Sequence, residues 1–377
     1  MNKKSLLFLF VLFACGHIRN AQSGSFHVMV YNVENLFDAK HDEGKNDFTY
    51  LAKSYASKEK ECKKISYKRY RNECLKLNWT DEKFEFKLGQ VEKVIKAYQK
   101  DHAKDKAQPA ILGLVEVENE NVVSKLAKRL GYNKFVVTNS PDKRGVDVAL
   151  MIKEGKQLKV LSHKEHVLEA DYFKSKPTRN ILEVQISVNG KYELYVFVNH
   201  WPSLGNPTST RLEAAKKVQS RILQLKKEKK QRHFLVMGDF NTIPENHPHP
   251  FHTHLYKDEL LFDLHSAFIE DRKVGWHKKN AMPPGTYFYA RKMQWNLLDR
   301  IFFDKNLKDG DSLEIVPSTY QIFSAPFMTT SYIYQKKGDY LAGSQVQNVP
   351  KRYDHGAKDN SQQGYSDHFP VSVQLHW

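Results

Sequence analysis

The sequence predicts an α/β domain, on three observations. Short apolar runs of strand length recur along the chain, and amphipathic segments of helical period fall between several of them. Neither an internal repeat nor a linker-like change of composition divides the 377 residues, so residues 22–377 are expected to form one domain. Apolar residues make up 40% of the chain, enough for a sizeable core at this length.

The chain opens with Met1-Asn2-Lys3-Lys4 and the apolar stretch Leu6 to Ala14. That stretch is too short for a membrane helix of ~20 residues and has the layout of a signal peptide. Residues 1–21 are therefore expected to be removed near Ala21, giving a secreted or periplasmic protein. Leu12-Phe13-Ala14-Cys15 also resembles a lipobox, which would leave Cys15 as a lipid-anchored N-terminus, although Phe13 is bulky for that motif. No later segment is continuously apolar for a membrane span. Cys62 and Cys74 then remain, and in an oxidising compartment they are expected to pair; two buried free thiols are the alternative.

From the N-terminus onward, "FHVMVYNVENLFD" (26–38) begins with alternating apolar residues and reads as a strand ending at Asn32. A basic insertion follows around 40–80. Its 53–77 part holds nine Lys or Arg against three Glu, with Tyr55, Tyr67 and Tyr70 interleaved, and reads either as an excursion on the substrate side or as a solvated helical hairpin. Phe84, Leu88, Val91, Val94, Ile95 and Tyr98 recur at helical spacing. "AILGLVEVEN" (110–119) is a second buried strand with an acidic end, and "NVVSKLAKRLGY" (121–132) is a helix closed by Gly131. Strands are predicted at 134–139, 146–152, 181–188 and 192–201, and a helix at 209–228 precedes "FLVMGDFN". "LLDRIFFD" (297–304) and "FPVSVQLHW" (369–377) complete the strands, while 246–296 and 328–365 lack strong periodicity.

Net charge is +16, and removing residues 1–21, which carry Lys3, Lys4 and Arg19, leaves +13. Such an excess attracts polyanions, nucleic acid among them; a merely solubilising surface is the plainer reading.

Six strand ends share one pattern, an apolar run meeting polar residues: Asn32 and Glu34; Glu116 and Glu118; Asn199 and His200; Asp239 and Asn241; Asp299 and Arg300; and Ser366, Asp367 and His368, which precede their strand. Any one of these could be a turn or a cap. Six in one chain argue for a shared location. Carboxylates crowded there repel one another unless a cation neutralises them, and an oxygen-rich set without cysteine suits Mg²⁺, Mn²⁺ or Ca²⁺ better than zinc. The two histidines add proton-transfer capacity near neutral pH. Metal, acid and base on a basic protein are the equipment for hydrolysing a phosphate ester.

The ordered set "YNVEN", "GLVEVEN", "VNHWPS", "MGDFN", "LDRIFF" and "YSDHFP" resembles the endonuclease/exonuclease/phosphatase superfamily, which includes deoxyribonuclease I, exonuclease III and neutral sphingomyelinases. The resemblance covers nearly all of the mature chain. It implies a four-layer α/β sandwich, two packed mixed β-sheets flanked by helices, with the active site where strand ends converge. It further implies that Glu116 is the principal metal ligand, helped by Asn32 and Asp367. Asp239 and Asn241 would orient the attacking water and the scissile phosphate. His368 would lie beside the phosphate, paired with Asp299, and His200 would donate a hydrogen bond or proton.

Two further residues are weighed against plainer roles. Asp147, at the start of a strand, is the candidate to orient His200 or else a solvated edge residue. Arg211, opening a helix after "HWPS", would neutralise substrate phosphate or form a surface salt bridge. The histidines of "NHPHPFHTH" (246–254) read as a rigid exposed loop and are left outside the site. The expected activity is a divalent-metal phosphodiesterase cutting DNA or RNA, acting as a monomer, with Trp201 and Tyr353 able to stack on bases. A phospholipid or sugar-phosphate phosphodiesterase of the same fold is the alternative.

Overall fold

The apolar runs pair edge to edge into two six-stranded sheets. The structure, a computed structural model, describes residues 24–102, 108–308, 313–336, 338–357 and 363–377. The expected signal segment, with Cys15, lies outside them.

The first sheet runs, edge to edge, β13 (Glu314–Ile322), β16 (Val371–His376), β1 (Ser25–Leu36), β2 (Ile111–Val117), β4 (Asp147–Ile152) and β3 (Lys134–Val137). The second runs β5 (Leu158–His166), β6 (Ile181–Val188), β7 (Tyr192–His200), β8 (His233–Asp239), β12 (Asp299–Phe303) and β9 (Phe262–Asp263). Both are mixed: β1 is parallel to β2 but antiparallel to β16, and β7 is parallel to β8 among antiparallel neighbours.

The sheets press face to face. At Gly113 a Cβ would lie 2.7 Å from Met237 Cε on the opposite sheet, so any larger residue would have to displace that methionine. Outside the first sheet lie α3 (Asp81–Asp101) and α4 (Glu120–Leu130), which bury Leu88, Val91 and Ile95 and Val123 and Leu126 in the main core. Thr80 and Asn119 cap them, accepting from the backbone N–H groups of Lys83 and Val122. The second sheet is covered by α6 (Thr208–Glu228), whose Ala214, Val218, Ile222 and Leu225 pack on Phe197, Phe234 and Val236. This is the four-layer sandwich that the resemblance implied.

The predicted strands and helices are present within a few residues. The strands β5 and β13 went unpredicted because each is a sheet edge whose middle residues are at least partly exposed, so no apolar period marks them. The aperiodic stretches hold β-hairpins, β10 (Tyr287–Tyr289) with β11 (Gln294–Asn296) and β14 (Thr329–Ile333) with β15 (Gln345–Pro350). Within the basic insertion, α1 (Lys58–Lys63) and α2 (Lys68–Lys76) form a helical hairpin closed by a Cys62–Cys74 disulfide.

Candidate active site

Sheet register aligns three of the predicted groups. His200 on β7 pairs with Asp239 on β8, and Asp239 pairs with Asp299 on β12, so all three stand in one row across the second sheet. From the first sheet, β2 delivers Glu116 through a bulge: the ladder slips between Val115 and Val117 and Glu116 adopts φ 66°. An extra residue at a strand end re-aims its side chain, here into the cleft. The same device appears on β1, which loses register between Asn32 and Leu36, with Glu34 and Asn35 at positive φ.

The groups meet at a cleft of about 950 Å³, lined by Glu116, His200, Asp239, Asn241, Asp367 and His368 among others. Asn32 Nδ2 donates to Asp239 Oδ2 at 3.1 Å, and Asp239 Oδ1 accepts from the backbone of Asn241 at 2.9 Å. His200 Nε2 lies 3.7 Å from Glu116 Oε1 and 3.9 Å from Asp239 Oδ2. Asp299 Oδ2 holds His368 Nδ1 at 2.6 Å, and His368 Nε2 lies 3.9 Å from Asp367 Oδ1. Ser366 fixes this last segment, donating to the Asn32 carbonyl at 2.7 Å and accepting from the His368 backbone at 3.1 Å. Tyr287 of β10 covers His368, its ring centroid 5.0 Å away.

Burial acts on these charges unequally. It raises the Asp239 carboxyl, and the Asp299 and Glu116 carboxylates add to the effect against His368, bringing it to about 7. Asp367 is likewise raised, by burial and by Glu116. Burial alone would lower His368, but the charge and hydrogen bond of Asp299, with Asp367 and Asp239 beyond, hold it well above its ordinary value. His200 falls well below its ordinary value through burial, with the cationic Arg179, Arg144 and His368 pushing the same way. The surroundings thus push the two histidines in opposite directions, favouring the imidazolium at 368 and the neutral imidazole at 200.

The donor set fits a divalent cation. Glu116, Asn32, Asp367 and Asp239 supply oxygen ligands without sulfur, and the upward push on Asp239 and Asp367 is the repulsion that a cation relieves. Asp239, Asp299 and His368 also bring ligand atoms within 4.8 Å of one another. Those three are the poorer choice, because an imidazolium bonded to Asp299 has no lone pair for a metal.

Two predicted assignments are corrected. Asp147 does not orient His200: its Oδ1 accepts from Ser140 N at 2.9 Å and from the Thr138 and Ser140 hydroxyls, while His200 Nδ1 has no hydrogen-bond partner among the described residues. Arg211 does not face the phosphate position. Buried in α6, it donates to the carbonyls of Pro202, Ser203 and Asn206 and so shapes the loop that borders the cleft. Nor do Trp201 and Tyr353 offer stacking faces, since both are buried against other rings. Of the remaining strand-end residues, Arg300 pairs with Asp263, and Asn199 binds the backbone carbonyls of Phe197 and Met237. Glu118 accepts from Asp38 N, and burial beside Asp38 pushes its carboxyl up to about 10.

Sequence reasoning missed a cationic wall. Asp142 bridges Arg144 and Arg179, at 3.0 and 3.3 Å, and their charges outweigh its burial to hold its carboxyl low. Arg179 is 7% exposed and also donates to the Trp201 carbonyl, while its Nε has no hydrogen-bond partner among the described residues. Lys143, Lys176 and Lys292 extend the wall around the cleft, with Tyr172 of α5 (Asp171–Ser175) and Tyr289 of β10 among them. In the sequence, "DKRG" and "KPTRN" were visible only as ordinary basic loop residues.

A cleft of convergent carboxylates, amides and two histidines pushed to opposite protonation, backed by arginine, is the site of a hydrolase acting on phosphate esters. The chain belongs to the endonuclease/exonuclease/phosphatase family, whose sequence model matches residues 68–377. Solved structures share the fold. An endonuclease/exonuclease/phosphatase family protein from Bacteroides thetaiotaomicron is 15% identical, with 94% of this chain and 98% of that one covered at a TM-score of 0.52. A mannosyl-6-phosphatase from the same organism is 15% identical, with 93% and 99% covered at 0.51. A D. rerio TDP2 complexed with a single-strand DNA product is 13% identical, with 93% and 98% covered at 0.50. No curated protein sequence matches.

Proposed function

We propose that the protein is a secreted, divalent-metal-dependent phosphodiesterase whose substrate is nucleic acid. The observation that carries this reading is the pairing of the carboxylate and histidine cluster with the wall of Arg144, Arg179, Lys176 and Lys292, on a chain of net charge +16. A phosphate monoester needs one anion site, whereas a polynucleotide presents neighbouring phosphates on both sides of the scissile one. Tyr172, Tyr287 and Tyr289 give that cleft aromatic surface at which bases can stack. The Cys62–Cys74 disulfide is consistent with an oxidising compartment.

In this reading Glu116, Asn32 and Asp367 hold the divalent cation, which polarises the phosphate when bound. Asp239, oriented by Asn32 and by the Asn241 backbone, takes the proton of the attacking water. Asn241 donates to a phosphate oxygen. His368, kept protonated by Asp299, binds a non-bridging oxygen as a cation. The neutral His200 donates a hydrogen bond to the phosphate, and Arg144 and Arg179 balance the charge that develops there.

The test is a substrate panel with Mg²⁺ or Mn²⁺: single- and double-stranded DNA, RNA, sphingomyelin, a sugar phosphate and bis-p-nitrophenyl phosphate. Nucleic acid should be degraded and EDTA should stop the reaction. Turnover of sphingomyelin or a sugar phosphate with nucleic acid left intact would replace this substrate by the alternative one.

A further inference from the structure

We infer that the disulfide-closed hairpin of α1 and α2 is a docking arm for single-stranded nucleic acid that leads toward the cleft; the inference rests on the nucleic-acid reading above. Between Lys53 and Leu77 the segment holds nine Lys or Arg and three Glu. Glu59 and Glu61 are paired with Lys63 and Lys64. Lys53, Lys60, Lys68, Arg69 and Lys76 are exposed, and none forms an ion pair among the described residues. Unpaired like charge at this density repels itself and adds nothing to the core, whereas a polyanion would offset it.

The hairpin is held firmly enough to present these groups. Beyond the disulfide, the buried Lys58 donates to the carbonyls of Leu51 at 2.6 Å and Thr49 at 3.0 Å, and Trp79 Nε1 donates to the Phe37 carbonyl at 3.1 Å. On its outer side Tyr67 and Tyr70 are 72% and 57% exposed, with ring centroids 5.8 Å apart. Two large rings left in water between cations lose apolar burial for no structural return. As a platform for unpaired bases they have a use, and a duplex, whose bases are already stacked, cannot take it.

Position links the hairpin to the chemistry. At its base Tyr55 meets His41 edge-on, and His41 stacks on Phe48 at 4.6 Å. The loop between these two runs along the cationic wall: Lys45 Nζ donates to the carbonyls of Ser140 and Asp142, and Asn46 N donates to that of Lys143. Tyr55, His41 and Phe48 at the foot of the hairpin therefore flank a loop bonded to residues 140–143, next to Arg144.

The test measures binding and catalysis separately on the full chain. Fluorescence anisotropy with a labelled oligo-dT in EDTA, at a series of salt concentrations, compares wild type with Tyr67→Ala/Tyr70→Ala and with Lys60→Glu/Lys68→Glu/Arg69→Glu; thermal melts check folding. The tyrosine variant should bind about tenfold more weakly. The charge variant should lower the slope of log affinity against log salt by about 2, from three lost contacts at roughly 0.7 each. Both should hydrolyse bis-p-nitrophenyl phosphate at the wild-type rate, because that small diester does not reach the hairpin. Wild-type affinity and slope in both variants would overturn the proposal. So would binding of duplex DNA or heparin as tight as that of oligo-dT and indifferent to the two tyrosines. Failure of the wild type to hydrolyse any diester would remove the catalytic reading, and anisotropy would still decide the hairpin.

Discussion

Replacing Gly238 by alanine tests whether the site depends on the close approach of β7 and β8. Gly238 has φ 143° and pairs with Asn199 across the parallel ladder. A Cβ there would lie 2.0 Å from the Asn199 carbonyl oxygen and 2.7 Å from its carbon, both backbone atoms that no rotamer change can remove. Relief requires the strands to part by about 1.5 Å, the shortfall from an ordinary contact of ~3.5 Å. At that separation bonds such as Trp201 N to the Asp239 carbonyl, now 2.9 Å, fail. Two or three lost bonds at about 1 kcal/mol each, with about 1–3 kcal/mol of backbone strain, give roughly 4 kcal/mol. At about 2–4 °C per kcal/mol the melting temperature should fall by roughly 10 °C, read by circular dichroism. Since His200 and Asp239 are the next residues along each strand, turnover should drop about 100-fold in the fraction that stays folded. A variant melting within 2 °C of wild type with full turnover would refute the reasoning.

Glu116→Gln should abolish metal-dependent hydrolysis of bis-p-nitrophenyl phosphate without changing the melting curve, and EDTA should do the same to the wild type. Asp299→Asn should lower the His368 pKa, because the charge and hydrogen bond that raise it are weakened. If the imidazolium is the working form, activity is present below its pKa and lost as pH rises through it, so the alkaline limb of the pH–rate profile should move to lower pH. Asp147→Asn should leave that profile unmoved, since its carboxylate serves Thr138 and Ser140. Glu183, bonded twice by Arg221 and once by His166, has its pKa lowered to about 2 against the opposing effect of burial. A depressed carboxyl stabilises the fold above its unfolded value near ~4.3 and loses that contribution as pH falls toward 2. The stability gap between wild type and Glu183→Gln in urea titrations should therefore be about 3 kcal/mol at pH 7 and shrink nearly to zero by pH 2.

Much of the site was legible because a strand's pattern is local. Asn32, Glu116, Asp239, Asp299 and His368 each end or adjoin an apolar run, and the fold gathers all five. The cationic wall was not legible. Arg144 and Arg179 lie 35 residues apart in ordinary loops, and only Asp142 between them shows that they act together. Asp147 failed for the converse reason: its place at a strand start matched expectation, but its nearest hydroxyls are local and claim its oxygen first.

Patterning along the chain by itself determined the central strands and that their ends are polar, because a strand buried on both faces leaves a continuous apolar run that can be read without a partner, whereas an edge strand such as β5 leaves none. Packing decided what each polar end does. Asn199 and His200 are neighbours on β7, yet the pleat turns the amide back onto the carbonyls of Phe197 and Met237 and sends the imidazole into the cleft toward Glu116 and Asp239. Which face of the sheet meets the cleft depends on how the two sheets and their ladders come together, and no short stretch of sequence carries that information.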